Sequence, residues 1–298
     1  MILTVWMGLF QSRTLNTPIH ALHFTPLTSE GDVMTDHRFT FMGTGAGCGV
    51  PAFFCHCKAC EEAREHPEYA RGDCGAMVSR SDKSNRILID TPPDIRHYLN
   101  REGIADFDEL LYTHWHSDHV GGLLELEYMV QLRTKVQIPT YATQETLHHI
   151  WQEFNWMTYC LEPHVLTDYR THTYDNVTYT ALPVHHAQGT VGYLIETDST
   201  RTFYASDTGP LPNDTKERIR GVDNFIMDAT YWGACPTDQH HSISQCIEQG
   251  LALDAKCIYL THLCMHYSEP ITLFELNDYL KQYNGRVIAA MDGMSFDI

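Results

Sequence analysis

From residue 37 onward the chain alternates short apolar runs with turn-forming residues. Runs at 39–42, 86–90, 109–113, 136–141, 177–184, 191–196, 201–205, 224–228, 256–261 and 286–291 are rich in branched and aromatic residues and predict β-strands. Apolar residues recur at helical spacing over 95–101, 122–132, 145–154, 243–253 and 272–283, which predicts helices there. The early strands follow one another as hairpins, and the helices interleave at the edges and late in the chain. That order predicts a layered α/β domain with mixed sheets rather than a doubly wound parallel sheet. Residues 1–36 differ: they carry no sustained period, and Thr17-Pro18, Thr25-Pro26 and Ser29-Glu30-Gly31 are loop signals. Met34 then leads directly into the first strand. Residues 1–36 are therefore expected to be an N-terminal extension, loosely held or upstream of the natural start, with the folded domain at 37–298.

Composition narrows the function. Hydrophobic residues make up 43% of the 298 and charged residues 19%, as in a globular chain with a substantial core. Acidic residues number 38 against 20 Lys and Arg, a net charge of −18. Such a chain repels nucleic-acid backbones and anionic membranes overall, so neither partner is expected. No apolar run approaches the roughly 18 residues that span a bilayer. The start lacks a basic segment and a small-residue cleavage site, so a cytoplasmic protein is expected. Ten Cys are present, and Cys55, Cys57 and Cys60 crowd within six residues. In a reducing compartment that crowding points to metal before disulfide. The 19 His nearly equal all Lys and Arg together, an excess that needs a chemical reason.

The reason lies in Thr113-His114-Trp115-His116-Ser117-Asp118-His119. Four metal-capable side chains fall within six residues, between an apolar strand and a predicted helix start. Imidazoles suit zinc, manganese or iron, and a carboxylate adds a harder ligand. Further candidates stand just after apolar strands: the doublet His185-His186, Asp207, and His262. Strand ends are rigid mounts for site-building loops. One His so placed is ordinary; four such placements in one chain make a site.

These residues carry a resemblance. The His-x-His-x-Asp-His motif, the later His, Ser206-Asp207-Thr208 and Leu260-Thr261-His262 resemble the metallo-β-lactamase superfamily. Gly43-Thr44-Gly45, Gly49-Val50-Pro51-Ala52, the Cys55/Cys57/Cys60 cluster, Leu88-Ile89-Asp90, Gly192-Tyr193-Leu194 and Asp292-Gly293-Met294 are similar, more narrowly, to the PhnP phosphodiesterase family of the carbon–phosphorus lyase pathway. The resemblance covers residues 38 to 298. It implies an αββα sandwich with two mixed β-sheets and a two-metal site at one edge. It implies that His114, His116 and His186 hold one divalent metal (Mn or Zn), that Asp118, His119 and His262 hold the second, and that Asp207 bridges and shares in catalysis. His185 is the alternative to His186. By the same resemblance His241 protonates the leaving group, with His240 as the alternative, and Asp90 orients ligand imidazoles. A structural zinc is expected on Cys55, Cys57, Cys60 and His266, with Cys264 competing for the fourth position and Cys74 a more distant candidate.

Two cations sharing a water give hydroxide near neutral pH and clamp a phosphate oxygen. The expected activity is therefore hydrolysis of a small anionic phosphodiester. The resemblance names 5-phosphoribosyl 1,2-cyclic phosphate, opened to ribose 1,5-bisphosphate, and suggests a homodimer. Two alternatives remain open at this point. One is a tRNA 3′-processing ribonuclease, although no long Gly-rich arm and no basic stripe are present. The other is a non-catalytic metal-binding protein resembling PqqB of cofactor synthesis.

Overall fold

The computed structural model describes residues 36–267 and 269–298. The expectation for the N-terminal extension falls outside these residues, Asp36 excepted.

The apolar runs assemble into two seven-stranded sheets. In the first the order is Ser295–Asp297, His37–Gly43, Gly75–Arg80, Ile87–Ile89, Glu109–Leu111, Ile138–Thr143, Leu161–Leu166. In the second it is Val287–Ala289, Cys257–Thr261, Asn224–Asp228, Arg201–Ala205, Val191–Glu196, Val177–Pro183, Thr171–Tyr174. Each sheet is mixed: the first is antiparallel from Ser295–Asp297 to Ile87–Ile89 and parallel from there to Leu161–Leu166, and the second is parallel from Val287–Ala289 to Arg201–Ala205 and antiparallel from there to Thr171–Tyr174. The mixed-sheet expectation holds.

Three apolar clusters define the layers. Phe39, Phe41, Ile89, Tyr193, Tyr204 and Ile226 fill the space between the sheets. Tyr98, Leu110, Leu123, Leu147 and Ile150 pack helices Ile95–Glu102 and Gln144–Glu153 onto the outside of the first sheet. Phe225, Ile247, Leu260, Leu276 and Ala59 pack helices Ile243–Ala252, Leu273–Leu280 and Lys58–Glu65 onto the outside of the second. Helix, sheet, sheet, helix is the αββα sandwich. Burying each large apolar side chain contributes about 1.5–3 kcal/mol, so the sheets cannot part without exposing the shared middle cluster.

The late helices start where their caps dictate. Thr272 accepts from the Glu275 amide at 3.1 Å, and Glu275 accepts from the Thr272 amide at 3.0 Å, a reciprocal capping box. Glu62 adds a second hold on the same turn, accepting from the Leu273 amide at 2.6 Å. Thr272→Ala is expected to lower stability by about 1 kcal/mol, read as a lower urea midpoint at unchanged slope. An unmoved midpoint would mean that Glu62 alone fixes the helix start.

Several elements differ from the sequence expectation. Strands Gly75–Arg80, Leu161–Leu166, Thr171–Tyr174 and Ser295–Asp297 and helix Lys58–Glu65 carried no legible pattern. The helix expected over 122–132 breaks into a 3₁₀ turn at Gly121–Leu123, an α turn at Leu124–Tyr128 and a π turn at Met129–Thr134. Gly122 causes part of this: a Cβ there would meet the Pro92 carbonyl oxygen at 2.1 Å. The break keeps the His motif pressed against the loop that follows Ile87–Ile89.

Candidate metal centre

Every predicted catalytic-site ligand stands beyond the carboxyl end of a strand, in the loop that follows or, for Asp118 and His119, in the short helix Ser117–Val120. His114 follows Glu109–Leu111, Asp207 follows Arg201–Ala205, and His262 follows Cys257–Thr261. Parallel neighbours end together, so the two sheets present these residues along one edge. Asp90 and His262 have positive φ, +65° and +55°. Such backbone costs of order 1–3 kcal/mol and persists where the surroundings enforce it.

The side chains converge. The ligand atoms of His114, His116 and His186 lie within 4.8 Å of one another, as do those of His114, His119 and Asp207. His186 Nε2 is 3.1 Å from His116 Nδ1. Asp207 sits at the centre: its Oδ2 is 2.8 Å from His119 Nε2, and its Oδ1 is 3.0 Å from His262 Nε2. Asp118 Oδ2 lies 3.7 Å from the Nε2 atoms of both His119 and His262. His186, not His185, is the member of this group; the His185 ring is half exposed and lies 3.8 Å from Asp238. Gly47 leaves the room that Asp118 occupies, since a Cβ there would come within 2.8 Å of its Oδ2.

Two buried carboxylates orient the imidazoles, one from each sheet. Asp90 accepts from the Thr113 amide, from the Thr113 hydroxyl and from His119 Nδ1, all at 2.8 Å. The Thr113 oxygen in turn accepts from His114 Nδ1 at 3.0 Å. Asp228 repeats the arrangement: it accepts from the Thr230 hydroxyl at 2.8 Å, and the Thr230 oxygen accepts from His262 Nδ1 at 2.8 Å. Each relay engages Nδ1 and turns Nε2 inward, the nitrogen a metal would take once its proton is displaced. Asp90 was legible from its place after a strand. Asp228 was not, although Asp228-Ala229-Thr230 stands at a strand end in the same way.

In the His240-His241 doublet the structure places the two rings in different surroundings. His241 is 4% exposed, donates from Nδ1 to the Thr208 carbonyl at 2.7 Å, and sets its Nε2 3.1 Å from Gln249 Oε1. Both ring nitrogens are thus engaged in the wall. His240 instead faces the cluster: its ring lies 4.9 Å from that of His186 and stacks at 5.3 Å on that of His262. It donates from Nδ1 to Asp228 at 2.6 Å. Ser242 follows in extended backbone as the N-cap of Ile243–Ala252.

The donor set fits divalent metal. His114 Nε2, His119 Nε2, His262 Nε2 and Asp207 Oδ2 are buried with no hydrogen-bond partner, although several lie near one another. Inward-facing donors that have only one another to face are costly unless divalent cations serve them. Burial pushes the His114, His116 and His186 imidazoles down, which keeps their nitrogens free to ligate. Burial also works against the charged forms of His119 and His262, yet Asp207 and its acidic neighbours outweigh it; His119 is raised well above its ordinary value and His262 to about 10. For Asp207 burial is outweighed by His262 and His119, and the carboxyl is held well below its usual range. Those imidazole protons occupy the place of a cation, and metal binding would displace them.

At the cysteine loop the structure brings Cys55, Cys60 and His266 within 4.8 Å of one another. Cys57 stands between Cys55 and Cys60 in sequence, as the N-cap of helix Lys58–Glu65. Cys74 does not join them; it is buried beside the Thr261 hydroxyl at 3.4 Å. Cys48, unremarked in the sequence, lies 3.2 Å from His266 Nε2. The ten cysteines form no disulfide.

Fold and ligand geometry together define a metal-binding hydrolase class. The profile of the Beta-lactamase superfamily domain matches residues 85–263, and the chain belongs to the metallo-β-lactamase superfamily. Within it the chain is PhnP-like: a diphosphatase of the PhnP family superposes with a TM-score of 0.76 at 25% identity, covering 88% of this chain and 98% of that one. Zn²⁺-bound PqqB from Methylobacterium extorquens has the same fold, with a TM-score of 0.71 at 21% identity over 88% of this chain and 100% of that one. In sequence, coenzyme PQQ synthesis protein B of Methylobacterium radiotolerans is 27% identical over 224 residues, 65% of this chain and 73% of that protein. An octanoyltransferase of Porphyromonas gingivalis is 36% identical over 113 residues, 38% of this chain; the match spans only 22% of that protein. No helix among the described residues is long and apolar enough to cross a membrane.

Proposed function

We propose that this chain is a dinuclear metal-dependent phosphodiesterase acting on a small cyclic phosphate, with 5-phosphoribosyl 1,2-cyclic phosphate as the substrate of first choice. The observation that supports it most is the full set of seven candidate ligands, six of them gathered around Asp207, with His240 at their rim. Two divalent cations on that set, zinc or manganese, would supply a low-pKa water and a clamp on the phosphate oxygens. His114, His116 and His186 hold the first position; Asp118, His119 and His262 hold the second; Asp207 spans both. Asp90 and Asp228 keep the ligand imidazoles aimed. His240 donates a proton from its outer nitrogen to the departing alkoxide, while Asp228 holds Nδ1 and stabilises the ring. The site attracts an anionic diester locally, because the ligand carboxylates only partly offset two dications. Ten cysteines without a disulfide suit a cytoplasmic enzyme of phosphonate breakdown.

The likeness to PQQ synthesis protein B supports a second reading, a metal-binding protein without this turnover. Metal-reconstituted protein assayed on bis-p-nitrophenyl phosphate separates the two. The substrate is tested beside a panel of nucleotide cyclic phosphates and a precursor tRNA. Faster turnover of the cyclic ribose phosphate is expected, and a tenfold preference for any nucleotide or for the tRNA would overturn the substrate assignment.

A further inference from the structure

The cysteine cluster holds more donors than one ion needs. Cys48 rides on a tight turn in which its own amide and that of Gly49 (φ +62°) donate to the Ala46 carbonyl at 2.6 and 2.8 Å. Cys264 hangs on the loop after Cys257–Thr261, and its amide donates to the Thr230 carbonyl at 3.0 Å. The two loops are stitched together: the Leu263 amide donates to the Thr44 carbonyl at 2.9 Å, and the Ala46 amide to the Leu263 carbonyl at 3.4 Å. The backbone itself therefore sets Cys48 against Cys264. The donor atoms of Cys48, Cys264 and His266 lie within 4.8 Å of one another, and so do those of Cys55, Cys60 and His266. In a tetrahedral thiolate site with bonds of about 2.3 Å, neighbouring sulfurs stand about 3.8 Å apart. Both triads are gathered closely enough for small shifts to reach that spacing, and Cys264, His266 and Cys60 are almost fully buried.

The triads share His266, and one imidazole nitrogen serves one ion. His266 Nε2 faces Cys48 at 3.2 Å, on the side of the second triad. We infer that the cluster is a two-ion thiolate site, in which Cys48, Cys264 and His266 hold a second soft cation of the zinc class beside the one on Cys55, Cys57 and Cys60. The ligand count closes. Five thiolates and one imidazole are six donors, two four-coordinate ions need eight bonds, and two thiolates shared between the ions supply the difference. Each thiol gives up its proton on binding, and dense thiolate selects a soft ion over magnesium or calcium. Five thiols confined beside one imidazole are stabilised by two dications more fully than by one.

The test uses the full chain loaded with zinc. After the chelator-labile ions have been removed, p-hydroxymercuribenzoate displaces thiol-held zinc, and a chromogenic chelator counts it. Two zinc ions per chain are expected from the wild type, and one from a Cys48→Ser/Cys264→Ser double variant. Release of one zinc from the wild type, or an equal count from both proteins, would overturn the inference. The ¹¹³Cd spectrum of the cadmium-loaded wild type decides the matter even if the double variant does not fold: two thiolate-shifted resonances are expected, and a single one excludes the second ion. Neither readout depends on turnover, so the inference stands or falls apart from the phosphodiesterase reading.

Discussion

Asp207→Ala is expected to cut turnover by roughly 10²–10³-fold or more, the scale of losing one main electrostatic element of a reaction site. No other side chain touches as much of the cluster. Its two oxygens lie 2.8 Å from His119 and 3.0 Å from His262, so its loss removes a shared ligand and the charge that balances two imidazoles. The fold should survive, because Asp207 lies past the end of Arg201–Ala205 and contributes to none of the three apolar clusters. The measurement is kcat at saturating metal, beside metal content and thermal melting. Near-wild-type kcat with a full metal complement would remove Asp207 from the ligand set. His116→Ala should behave likewise, with the loss concentrated in the first metal position.

His240→Ala is expected to retain both metals and slow turnover by roughly 10²–10⁴-fold, the usual effect of removing a general acid. The loss should shrink for a nitrophenyl ester, whose leaving group hardly needs a proton. His241→Ala serves as the contrast. With both ring nitrogens engaged by Thr208 and Gln249, it should lower stability and leave the leaving-group dependence unchanged. The assignment fails if His241→Ala shows the larger kinetic loss, or if His240→Ala loses metal in proportion to activity.

The parts legible in the sequence were those that a periodic or local signal encodes. The His motif packs four metal-capable side chains into one turn, and the strands that end in such residues are uniformly apolar, so the fold layering and the gathering of these side chains both followed. Gly75–Arg80 escaped because Gly, Ala and Ser are weak strand formers and the strand is buried almost throughout, which erases alternation. Leu161–Leu166 escaped because Pro163 argues against a strand. Within the doublets, spacing alone cannot say which ring faces inward. The structure sets the His240 ring beside those of His186 and His262, and His186 against His116. Cys48 was invisible because its partners, Cys264 and His266, meet it only through the stitch between two distant loops.

The edge position of the ligands has a mechanical consequence. His114, His116, Asp118 and His119 hang from one sheet, whereas His186, Asp207 and His262 hang from the other. His116 and His186 are 70 residues apart along the chain. An ion held by both would act as a removable rivet between halves of the sandwich, closing a long loop as a disulfide does, with the constraint coming and going with metal supply. Stripping the ions should therefore let the two sheets breathe independently at this edge, with hydrogen exchange rising first in the ligand loops while the middle apolar cluster stays closed.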